Sequence, residues 1–172
     1  MKRVFLLFLA LLMVLSLLTA CGGDKYRNDL TSAQVMESIK AAIPAEEGYR
    51  QVSDAYISAS MWGEKYTVLL ENTVDHCIIV SEKSDVNIDE VGVFHVKDGA
   101  DLDELEAIVT AYVDGQALRF RDLLVSYNPD ELPKLDEIKV KVCGNYIYYS
   151  ILSEARTEAA QTAFEKALEI KN

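Results

Sequence analysis

The stretch from Glu137 to Leu152 constrains the fold more than any other part of the chain. Two segments, Glu137 to Cys143 and Tyr146 to Leu152, flank Gly144-Asn145, a two-residue turn in which both central positions tolerate positive φ. In the first segment Lys139 and Lys141 alternate with Ile138, Val140 and Val142, which predicts one wet and one buried face. An isolated hairpin is marginal in water, so its apolar face requires further strands and a covering layer.

The rest of the chain supplies both. Val35, Met36, Ile39, Ala42 and Ile43 recur at helical spacing behind Thr31, with Gln34 completing a capping box and Pro44 closing the segment, so a helix is predicted over Thr31 to Ile43. His76 to Ser81 and Val91 to Lys97 are short, β-branched runs bounded by polar turns, and read as two strands. Asp101 and Glu104 open a long helix carrying Leu105, Ile108, Val109, Tyr112, Phe120, Leu123, Leu124 and Tyr127 along one face; Asn128-Pro129 ends it. A last helix runs from Glu154 to Ile170 behind Ser153, with Ala159, Ala160, Ala163, Phe164, Ala167 and Leu168 facing inward. Residues 45 to 73 stay unassigned, although Tyr66 to Leu70 is apolar. The order is α-β-β-α-β-β-α, and the predicted class is α+β: an antiparallel sheet of about four strands with helices on one side.

At the amino end Lys2 and Arg3 precede an apolar run from Val4 to Leu18, broken only by Ser16. That length suits an export signal and is short for a settled bilayer span. Leu18-Thr19-Ala20-Cys21 resembles the bacterial lipobox, which implies cleavage between Ala20 and Cys21 and a diacylglyceryl group on the Cys21 sulfur. The competing readings are an ordinary secretory signal and a retained anchor helix. The resemblance divides the chain into a signal peptide (1–20), a glycine-led tether (21–30) and a single domain (31–172), held at the outer face of the cell membrane by its acyl chains. Loss of Lys2 and Arg3 would take the net charge from −11 to −13. Such an acidic surface is expected to repel nucleic-acid phosphate and anionic headgroups.

The lipobox, the strand Val91 to Asp98, the long helix closing in Tyr127-Asn128-Pro129 and the hairpin around Cys143 to Tyr146 occur in order. Together they resemble the small bacterial lipoproteins that share domain of unknown function 4358. The resemblance implies location and architecture, and carries no catalytic signature or cofactor.

Candidate chemistry is sparse. Asp85, Asn87 and Asp89 have the spacing that opens a calcium loop, but Glu90 stands where the loop needs glycine and Val96 where it needs a bidentate carboxylate. His76, Cys77, His95 and Cys143 all fall on predicted strands without metal-ligand spacing, and adjacent strand residues point to opposite faces, so no metal site is expected. Cys77 and Cys143 are candidates for a disulfide, because an exported domain is oxidised and Cys21 is committed to lipid. No nucleophile elbow or phosphate-cradling loop is present, and the abundant carboxylates single out no catalytic pair.

Stacked aromatics beside carboxylates suit sugars or peptides, and Tyr56, Tyr66 and Trp62 join three tyrosines of the last strand in that respect. Strand alternation sets Tyr146 and Tyr148 on one face and Tyr149 on the other, so Tyr146 and Tyr148 form a candidate exposed aromatic face. The expected function is a non-enzymatic binding or accessory module for a protein, peptide or cell-wall ligand; the alternative is an envelope hydrolase acting through acidic residues.

Overall fold

The computed structural model describes residues 25–45, 47–52, 62–63, 65–83 and 86–170. The elements run α1 (Ser32–Ala42), β1 (Tyr49–Gln51), α2 (Lys65–Glu71), β2 (Thr73–Ser81), β3 (Glu90–Val96), α3 (Leu102–Tyr127), a 3-10 helix (Pro129–Asp136), β4 (Lys139–Cys143), β5 (Tyr146–Ile151) and α4 (Glu154–Leu168). The sheet has five antiparallel strands in the order β1-β2-β3-β5-β4. The class is α+β as expected; the additional strand is β1, which pairs Arg50 with Val80 in a segment too short for any periodicity to show.

Helix starts follow their caps. Thr31 Oγ1 accepts from the Gln34 amide at 3.2 Å while Gln34 Oε1 accepts from the Thr31 amide at 2.9 Å, which satisfies two amides the helix itself leaves unpaired. Asp101 accepts from the Glu104 amide at 3.1 Å, and α3 ends where Asn128 departs from helical backbone before Pro129. At the β4–β5 turn only Gly144 takes a positive φ (56°), and Asn145 does not. Among the described residues, no helix is long and apolar enough to cross a membrane.

Helices cover both faces of the sheet, which corrects the one-sided expectation. On one face α1 and α4 pack over Cys77, Ile79, Val91, Val93, Tyr146 and Tyr148. On the other, α2 and α3 pack over Ile78, Phe94, Val96, Ile147 and Tyr149. Every residue of β3 and β5 is consequently buried. Their sequences carry the cue, since Glu90–Val96 and Tyr146–Ile151 are continuous rather than alternating in character. Lys139 and Lys141 alternate with valines because β4 is an edge strand, where long cations keep their ammonium groups in water.

Candidate functional site

The two-sided cover decides the fate of several sequence candidates. Tyr146 and Tyr148 are both fully buried, so they form no exposed aromatic face. Tyr146 donates to the Leu30 carbonyl at 2.6 Å and Tyr148 stacks on Phe164. Cys77 and Cys143 are both free and buried, so the expected disulfide is not formed. The strand order explains it: β3 and β5 lie between their strands, three spacings or about 14 Å, against a reach of under about 7 Å for a disulfide. Burial pushes the Cys77 thiol up to about 11 and raises that of Cys143, which lowers the thiolate fraction of both.

His76 lies beside the Tyr66 hydroxyl at 3.3 Å, and His95 bonds Asn28 at 2.9 Å while stacking on Tyr146. The histidines serve packing, each within its own cluster. Ala20, Cys21, Tyr56 and Asp85 lie outside the described residues. Asn87 and Asp89 of the calcium-like spacing are engaged elsewhere, as follows.

The polar centre of the molecule lies where β3 begins. Asp89 and Glu90 are adjacent, and strand alternation sends them to opposite faces. On the α4 side Asp89 accepts from Lys134 and from Arg156, and Lys134 also donates to Glu131 at 2.6 Å. Glu131 further accepts from the Ile88 amide at 3.2 Å and from Asn87 at 3.4 Å. Two acids and two bases thus form a charge-balanced quartet, with Asp89, Glu131 and Lys134 buried and Arg156 partly exposed, that ties the 3-10 helix, β3 and α4 together. Arg156 also donates to the Tyr49 hydroxyl, which brings the end of β1 into the same network.

On the α3 side Glu90 is 6% exposed and has no cation as partner among the described residues. Its Oε1 accepts from Tyr112 at 2.6 Å and from Tyr149 at 2.5 Å, and Gln116 donates to the Tyr112 hydroxyl at 2.7 Å. Burial raises the Glu90 carboxyl above the usual carboxylate range, opposed by the two tyrosine hydroxyls. Burial, reinforced by the Glu90 charge, raises Tyr112 and Tyr149 as well, so both remain donors. Trp62 stacks on Tyr112 with ring centroids 3.7 Å apart. Gly92 is paired with Tyr149, and a Cβ there would overlap the Tyr149 ring; the glycine is what lets that ring lie over β3 and reach Glu90.

A cavity of about 220 Å³ opens against Glu90. Its lining combines the apolar Val52, Trp62, Ile78 and Phe120 with the polar Ser81, Asn87 and Asp89, and Arg50 and Lys83 also line it. A second cavity of about 320 Å³, on the quartet side, shares Ser81, Lys83, Asn87 and Asp89 with it. Neither Glu90 nor the quartet was singled out by the sequence. An acid leading directly into the apolar run Val91 to Phe94 was the available signal; Lys134 and Arg156 offered none, because their partner is brought near only by the fold.

A family model described as a domain of unknown function (DUF4358) matches residues 64–152. No curated protein and no solved structure matches the chain.

Proposed function

The chain belongs to the DUF4358 family, and from that premise we propose that it is an extracytoplasmic lipoprotein, anchored through acyl groups on Cys21, whose domain binds a ligand and performs no chemistry on it. The observation that carries the binding half is the engagement of the cavity's acids. Asp89 and Glu131 are neutralised by Lys134 and Arg156, and Glu90 faces the other side of the sheet. Acid–base hydrolysis requires two carboxylates that converge on one bond, one to donate a proton and one to attack or activate water. Here Asp89 and Glu90 line one cavity, but Asp89 is spent on its two cations and Glu90 on two tyrosine hydroxyls. Such rigidly held polar groups suit recognition, since little ordering remains to be done on binding.

The anchoring half is supported by the amino-terminal sequence, with its cationic start, apolar run and lipobox-like Leu18 to Cys21. The acidic balance suits a soluble domain at a crowded surface.

The alternative, a hydrolase acting through acidic residues, draws on the desolvated Glu90. It would need a second carboxylate free to act in the same space; among the described residues Asp89 is the only other acid lining that cavity, and Lys134 and Arg156 hold it.

Intact mass of the protein extracted from the membranes of its native host tests the anchor. A mass equal to residues 21–172 plus acyl groups is expected. Cleavage without added acyl mass, or retention of residues 1–20, overturns it.

A further inference from the structure

We infer that the cavity beside Glu90 is a subsite for a single neutral sugar ring. The inference deepens the binding-module reading and rests on it. Three observations converge. First, both tyrosine hydroxyls bond the same oxygen of Glu90, which leaves Oε2 without a hydrogen bond among the described residues. Glu90 lines the cavity, so a ligand hydroxyl there can donate to that oxygen.

Second, the lining combines two chemistries: Trp62, Ile78 and Phe120 are apolar, whereas Ser81, Asn87 and Glu90 bring hydrogen-bonding groups. A pyranose needs both, with C–H faces that pack on apolar and aromatic surface and a rim of hydroxyls. Third, at about 220 Å³ the space is below the roughly 300–1,000 Å³ of pockets for drug-sized ligands, a size that suits a single ring.

The lining carries both signs, Arg50 and Lys83 beside Asp89 and Glu90, and Asp89 is already paired with Lys134 and Arg156. A neutral, hydroxyl-rich ring requires no counter-charge from such a wall.

Trp62 is the chain's single tryptophan and forms part of the wall, so its emission reports on this site; it also borders a cavity beside Ala111 and Arg119, and variants at Glu90 and Phe120, which line only the first, tell the two apart. The full-length protein in detergent is titrated with N-acetylglucosamine, with glycine and inorganic phosphate as the zwitterionic and anionic comparisons. A saturable change is expected with the sugar and none with the other two. Glu90→Gln keeps an acceptor for both tyrosines and replaces Oε2 with a donor; it should weaken the apparent affinity about tenfold or more. Phe120→Leu, which trims the apolar wall without touching Glu90, should weaken it too and stands in if Glu90→Gln does not fold. No saturable response to the sugar, saturation by glycine or phosphate instead, or wild-type affinity in the folded variants overturns the subsite. An acylated protein without sugar response sinks the subsite and leaves the anchored module standing, so the two failures are distinct.

Discussion

Glu90 occupies a position that few carboxylates tolerate: the first residue of a central strand, under a helix, with tyrosine hydroxyls in place of a cation. The consequence is a pH dependence with a definite sign. Its folded-state pKa lies above the unfolded value because burial disfavours the charge. Below the unfolded value the group is protonated in both states and its contribution to stability is complete. As pH rises toward the folded value the unfolded chain ionises first, and stability falls by at most about 1.4 kcal/mol per pH unit. Glu90→Gln cannot ionise, so its melting temperature should gain on the wild type as pH rises from about 4 toward neutrality. A gap between the two proteins that stays constant across that range would show that ionisation at Glu90 is not coupled to folding. The residue itself was legible only as the acid that spoils a calcium loop. What makes it special is Tyr149, fifty-nine positions away, and no local pattern encodes that pairing.

Among the elements, those with their own caps and periodicity were legible: α1 behind Thr31, α3 behind Asp101, α4 behind Ser153 and the hairpin at Gly144. The 3-10 helix was not, because its eight residues hold two prolines and little apolar periodicity. It is fixed instead by Leu135 in a small cluster with Leu124 and Ile151, and by the quartet. Lys134→Met would leave Asp89 with Arg156 and Glu131 with no cation among the described residues. Removing one partner of a buried ion pair costs about 3–5 kcal/mol, since the remaining charge stays desolvated. Denaturant unfolding should show a loss of that order, and Glu131→Gln added to Lys134→Met should recover part of it by removing the excess negative charge. A loss below about 1 kcal/mol would place Lys134 with exposed surface pairs instead.

At the scale of the molecule, the one-sided sheet expected from the hairpin and the two-sided sheet observed differ because the clearest alternation in the sequence belongs to an edge. The pattern of β4 describes the margin of the sheet; β3 and β5, whose runs do not alternate, describe its middle. The same ordering governs access to the two thiols. Cys77 lies on β2, with β3 along one edge and α1 above, so exposing it requires the packed layers to part. Cys143 closes the edge strand β4 next to the turn, and edge strands open locally at lower cost than central ones. Under native conditions an alkylating reagent should therefore modify Cys143 well before Cys77, and both should react in denaturant without any reductant. Peptide mass mapping over a time course reads both outcomes. A requirement for reductant would mean that the strands had come together in a different order from β2-β3-β5-β4, since only then could the two sulfurs meet.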